Sequence, residues 1–278
     1  MEVPDPHHPG GVDPLMTRRR NGTSRESGAA AAGHAAQPLH SVWHDESAVQ
    51  ERLLTEFPGE PPKANGHREG GLFRDSLHIV ERDGVTHVIS EDYSYKSEPY
   101  YTILNYELSG REVQPSSCAV LDAYVVPMCL ERARLGGIPV CDWEISQGYV
   151  PLPAIIYGLN YFATSADFAV VHDGEKAKEV TGHVTNKGKY PFCYQKIPIG
   201  ATIHSCVGIF GRTTDSCSAI TSLSRKVYET FGLPLVTMVF VRTGSSYLLS
   251  SLAPTRYSRL SGAEKALLSA YVSHQEFL

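Results

Sequence analysis

The chain has 278 residues, 42% of them apolar, and a formal net charge of -5 at neutral pH, so it can bury a sizeable core. Its pI near 6.2 gives no basic footprint, which argues against nucleic acid as a partner. No run reaches the ~18 uncharged apolar residues that a membrane helix needs, and the N-terminus has no apolar signal core; a cytoplasmic protein with no membrane partner is expected.

Residues 1–70 read as a disordered leader, because Pro, Gly, His, an Ala tract and the Arg18-Arg19-Arg20 run leave too little apolar content to offset chain entropy. The composition of residues 1–15 is compatible with a start at Met16. One segment stands out: Ser47 to Gln50 matches a capping box, and Val49, Leu53, Leu54 and Phe57 form an apolar stripe, which predicts a short helix over 47–57.

Residues 71–278 read as a single folded domain. Leu77 to Val80 and Val85 to Ile89 flank Arg82-Asp83-Gly84, a hairpin whose turn tolerates positive φ. A helix is predicted from Glu98, with Pro99 in its first turn and Gly110 past its end. Val113 opens a short strand, and Leu121 to Leu135 forms a second helix that Pro127 kinks or divides. Ile138 to Cys141 reads as a buried strand. In residues 142–206, Pro151, Pro153, Asp173-Gly174 and the Asn186-Lys187-Gly188-Lys189 run predict strands joined by exposed loops.

The last third has the clearest pattern. A strand through Val207 to Phe210 leads to a helix capped by Asp215 or Ser216, with Ile220, Leu223, Val227, Tyr228 and Phe231 at helical spacing and Gly232 and Pro234 as its stop. Strands follow at Leu235 to Val241 and Ser246 to Ala253, and Ser261 to Glu264 caps a final helix through Val272. The alternation predicts an α+β, or three-layer α/β, domain with a mixed sheet and flanking helices.

Two sets of motifs carry a resemblance. Tyr93, Tyr95, Lys96, Ser97, Tyr100, Tyr101, Glu107, Gly110, Arg111, Pro115 and Ser116 form one; Phe210-Gly211-Arg212-Thr213, Asp215, Leu223-Ser224-Arg225, Phe231, Pro234-Leu235 and Phe240 form the other. In this order they resemble the domain that precedes RimK-like ATP-grasp ligases, in a stand-alone form without the ligase module. The likeness covers about 89–140 and 207–272, and residues 142–206 read as subfamily-specific.

That resemblance implies work beside an enzyme that activates a carboxylate as an acyl phosphate and passes it to an amine. Such chemistry needs lysines on the nucleotide phosphates and an acidic residue with an Asn holding magnesium. No Glu-x-Asn or Asp-x-Asn pair and no Gly-x-x-x-x-Gly-Lys-Ser/Thr loop occurs here. ATP and magnesium are therefore expected only on a separate partner ligase, with no cofactor in this chain and no catalytic residue assigned. The expected role is accessory or substrate recognition; the alternatives are a stand-alone enzyme on an amino-acid derivative and a structural or regulatory interaction protein.

The candidate ligand site gathers Tyr95, Lys96, Tyr100, Tyr101, Arg111, Ser116, Arg212, Thr213 and Asp215. The tyrosines offer flat apolar faces with hydroxyls, and Lys96, Arg111 and Arg212 can fix a carboxylate, a combination suited to an amino acid or peptide. The competing reading has the same tyrosines packing a helix on the sheet. Gly211 to Thr214 precede a helix start, where free N–H groups favour an anion or simply make a turn. The six cysteines show no Cys-x-x-Cys spacing and no metal site is expected, and Cys118, Cys129, Cys206 and Cys217 read as small hydrophobes. His172-Asp173, His183 and His204 can be combined with a cysteine into a hydrolytic site, but their scatter favours singly bonded histidines. Asp142 and Glu144, two apart, share one face of a strand as a carboxylate pair or a solvated strand end.

Overall fold

The computed structural model describes residues 77–95, 97–160 and 163–273. The leader with its 47–57 helix and Lys96 lie outside the described residues.

The architecture is α+β, with ten strands in three sheets and six α-helices among the described residues. In the first sheet β1 (Leu77–Arg82) and β2 (Val85–Ser90) form the expected hairpin. Asp83 and Gly84 take φ of 52° and 81°, the left-handed pair that matches strand twist. β3 (Val113–Gln114) joins β2 in parallel and makes this sheet mixed.

Helix α1 (Glu98–Leu108) starts where Ser97 accepts from the Tyr100 N–H, with Pro99 in the first turn. The second predicted helix is two: α2 (Ser117–Tyr124) and α3 (Val126–Leu135) break at Val125, just before Pro127. Proline lacks the N–H and its ring crowds the carbonyl four residues back, so a new helix begins around it. The strand expected at 138–141 reduces to a bridge between Val140 and Leu249, with the Cys141 N–H donating to Leu249 O over 2.9 Å.

The segment 142–206 holds the fully antiparallel second sheet, ordered β4-β7-β5-β6, from β4 (Trp143–Ser146), β5 (Ala154–Gly158), β6 (Phe168–Val171) and β7 (Phe192–Lys196). It also holds α4 (Gly174–Val184), which the loop reading missed: Asp173 is its N-cap, accepting from the Lys176 N–H at 2.8 Å. Residues 174–184 bury Ala177 alone, so the apolar period that identifies a helix is weak there.

The third sheet is β8 (Thr202–Ile209), β9 (Leu235–Thr243) and β10 (Ser246–Ala253), antiparallel in the order β10-β9-β8. Helix α5 (Ser218–Phe231) ends on Gly232 at φ 65°, and α6 (Gly262–Val272) starts on a complete Ser261/Glu264 capping box. β5 shows how the sheets share a core: Ile155 and Tyr157 point into the main cluster with Leu130, Phe231, Phe240 and Leu252, while Ala154 and Ile156 face Val171 and Ala177 under α4. A second cluster joins Ile89, Ile209, Leu235, Leu268 and Tyr271.

Candidate functional site

The residues expected to hold a ligand fall on two frames. Around α1 and α2, Tyr95 and Tyr101 are exposed, and the Tyr100 and Tyr101 rings meet edge-on at 6.2 Å. Burial raises the pKa of the Tyr100 phenol, with the neighbouring Cys118 and Glu107 adding to the effect. Ser116 caps α2 by accepting from the Ala119 N–H at 3.1 Å. The start of that helix is already occupied by an anion of this chain: Glu107 accepts from the Ser117 N–H at 2.9 Å and from its hydroxyl at 2.5 Å. Arg111 lies 3.3 Å from Glu81 and over the Tyr106 ring at 5.3 Å. This frame therefore satisfies Ser116 and Arg111 from within.

The second frame is the turn between β8 and α5. Phe210 and Gly211 adopt φ of 49° and 75°, and the Ile209 and Arg212 backbones close the loop at 2.8 and 2.9 Å. Gly211 is required here, since a Cβ would come within 2.9 Å of Tyr228 Cβ. Arg212 carries its guanidinium over the Tyr271 ring at 5.6 Å. Helix α5 begins only at Ser218, so Gly211 to Thr214 form a turn and do not supply a helix N-terminus.

The groups beyond this turn gather. The Asp215 N–H donates to Thr213 Oγ1 at 3.1 Å, while the Asp215 carboxylate accepts from the Cys217 N–H at 2.8 Å and meets His204 Nε2 at 2.8 Å. His204 in turn stands edge-on to Tyr247 at 5.7 Å. Cys217 is the N-cap of α5. The N–H groups of Ile220 and then Ala219 hold its thiol below the usual range, with Tyr247 adding to that. Burial instead pushes Cys206, beside Thr213, up to about 12, and Cys129, Cys141 and Cys193 likewise. Neither Cys217 nor Tyr247 was read from the sequence as a site residue; the usable signal was an acidic residue two positions ahead of a cysteine at a helix start.

A third set was also missed. Where the second and third sheets meet, the Tyr157 hydroxyl lies 2.7 Å from Ser250 Oγ and 3.1 Å from Ser251 Oγ. Gln195 donates to Ser250 O at 2.7 Å and accepts from Ser250 Oγ at 2.6 Å. All four residues are fully buried. Burial raises the Tyr157 pKa, so the cluster is neutral across the physiological range.

The other expected constellations stay apart. His172 lines a 230 Å³ hollow with Leu152 and Pro198, whereas His183 lines a 610 Å³ groove along α4 with Glu179 and Asn186. Glu144 bonds the Tyr194 hydroxyl and lies 3.6 Å from Lys196, and Asp142 precedes the strand that carries it. Among the described residues no three His, Cys, Asp or Glu converge as metal ligands, and no helix is long and apolar enough to cross a membrane.

No family model and no curated protein sequence matches the chain. Solved structures similar to it include a RimK domain ATP-grasp protein from Sphaerobacter thermophilus, at 16% identity and TM-score 0.48 over 64% of this chain and 77% of that one. A D-alanine-D-alanine ligase from Helicobacter pylori is similar at 12% identity and TM-score 0.46, over 62% of this chain and 64% of that one. The ATP-grasp ligase PsnB, in complex with the precursor peptide PsnA2 and AMPPNP, gives 14%, 0.44, 62% and 66%. The chain thus spans just under two thirds of the last two. The likeness runs along ATP-grasp ligase chains themselves, which corrects the expectation of a stand-alone domain that merely precedes a ligase module. At these identities, and with TM-scores below 0.5, no family, site or activity is taken from it.

Proposed function

We propose that this chain is a cytoplasmic recognition component that acts with a separate ATP-grasp carboxylate-amine ligase, on an amino acid or peptide, and performs no ligation itself. The observation that carries this reading is the neutral cluster between the second and third sheets. A ligase of this kind must set cationic side chains and metal-holding carboxylates around a triphosphate. Here the buried polar groups at the sheet junction are a phenol, an amide and two hydroxyls, bonded to one another. ATP and magnesium then belong to the partner. The test is affinity recovery of partners from the native host, followed by ATP-consumption assays with and without this chain. The expected result is a recovered ligase whose turnover depends on this chain, and no ATP consumption by the chain alone. Turnover by the purified chain with amino acids would overturn the reading.

A second reading is favoured by the thiol at the start of α5. A nucleophilic cysteine needs a lowered pKa, a base and an orienting group; Cys217 has the first, and Asp215, which accepts from the Cys217 backbone N–H, also holds His204. Under this reading the chain is an enzyme acting on an amino-acid derivative through a covalent Cys217 adduct. Screening amino-acid thioesters with the native chain and with Cys217→Ser separates the two readings, because the recognition role survives that substitution.

A further inference from the structure

The long outer edge of the third sheet is β8, paired on that side only at its Ile209 end, with Arg212. Its eight residues pair with β9 in unbroken register from Thr202↔Arg242 to Ile209↔Leu235. Among the described residues, no other backbone hydrogen bond reaches Thr202 to Gly208. Native proteins protect such an edge with proline, lysine, an inward charge or a bulge. Thr202–Ile209 has none of these: it contains no proline, no lysine, no arginine and no carboxylate, and its register never shifts. The other edges are shorter or blunted. β3 has two residues and β6 four, β1 ends in Glu81-Arg82, β4 carries Glu144 and is four residues long, and the outer side of β10 is taken by Pro139 and Cys141.

We propose that β8 receives an extended peptide segment as an added antiparallel or parallel strand. This rests on the recognition reading and gives it a place for a peptide ligand. The stretch Thr202 to Val207, with Thr202 and Ser205 exposed and the other four residues half-buried, spans ~20 Å at ~3.3 Å per residue, and a sheet is ~10 Å thick. The edge therefore offers roughly 200 Å² to an incoming strand, far below the ~800 Å² per partner that two folded proteins need. A second copy of the chain is poorly held by so little. A peptide takes its affinity from main-chain hydrogen bonds and needs no more than the edge.

The two faces set its side-chain pattern. Ile203, Ser205 and Val207 lie in one row, and a residue beside Ile203 or Val207 gains from being apolar or β-branched. His204 and Cys206 lie in the other row, against Asp215 and Thr213, where small hydroxyl residues fit. The peptide is thus proline-free and alternates β-branched with hydroxyl side chains.

The probe is the soluble peptide acetyl-Lys-Thr-Val-Thr-Val-Thr-Lys-amide, compared with the same peptide N-methylated at both valines. The full-length chain should bind the first at least tenfold more tightly by fluorescence polarisation, and binding should slow hydrogen exchange at the outward-facing amides of Ile203, Ser205 and Val207. Ser205→Lys, at an exposed position, should weaken binding about tenfold while the far-UV spectrum stays unchanged. Equal binding of the two peptides, no binding at millimolar concentration, or amides of Ile203, Ser205 and Val207, which face away from β9, that are already protected without peptide would each overturn the proposal. So would a concentration-dependent dimer that Ser205→Lys abolishes, since a second copy would then hold the edge. If a ligase is recovered and activated but the peptide does not bind, the edge proposal falls alone; if no ligase is recovered, the recognition reading falls.

Discussion

Removing Gln195 tests the polar junction between the second and third sheets. Gln195→Leu leaves the Ser250 carbonyl, which Gln195 bonds at 2.7 Å, buried without that donor, while the Ser250 hydroxyl, which donates to Gln195 at 2.6 Å, keeps only Tyr157 at 2.7 Å. A buried polar group stranded in this way costs ~1–3 kcal/mol, so the substitution should destabilise by ~1–3 kcal/mol. Tyr157→Phe removes a hydroxyl 2.7 Å from Ser250 Oγ, but Ser250 keeps Gln195, and ~1–2 kcal/mol is expected. For a domain of this size that is a Tm decrease of about 2–8 °C. Because either side chain alone still bonds Ser250 Oγ and only the double substitution strands it, the double substitution should cost more than the sum, by at least ~0.5 kcal/mol. Urea unfolding followed by circular dichroism measures all three, with shifted midpoints at constant slope. A neutral or stabilising Gln195→Leu, or strict additivity, would refute a shared network.

Three further outcomes are expected. Gly211→Ala should destabilise by ~2 kcal/mol or more, since φ is 75° and the new Cβ meets Tyr228 at 2.9 Å; thermal unfolding checks it. His87 has its pKa lowered, first by burial and then by Arg82, against an opposing pull from Asp83. Unfolded His87 therefore takes up a proton near pH 6.5 that the folded chain refuses, so its share of stability is complete above that pH and declines as pH falls below it. His87→Gln should flatten the acid side of the stability profile, and an unchanged slope would contradict this. Iodoacetamide at pH 7 followed by mass spectrometry should label Cys217 well ahead of Cys206, whose thiol burial pushes up to about 12.

Local signals placed much of the fold. Asp83-Gly84 demanded a left-handed turn, Ser261 with Glu264 wrote a capping box, and the apolar period through Ile220, Leu223, Val227 and Phe231 ended on Gly232; each is an interaction between residues a few positions apart. Helix α4 escaped because it buries only Ala177, so neither period nor apolar content announced it. The sites depended on distance in three dimensions. Tyr157 and Ser250 are 93 residues apart in sequence, and His204 and Asp215 meet only because the Phe210-Gly211 turn folds the chain back past β8. Residue types along the chain set turns, caps and strand faces, whereas which polar groups share a buried junction, and which strand is left as a free edge, followed from how three sheets pack, because those contacts join residues that no short-range pattern links.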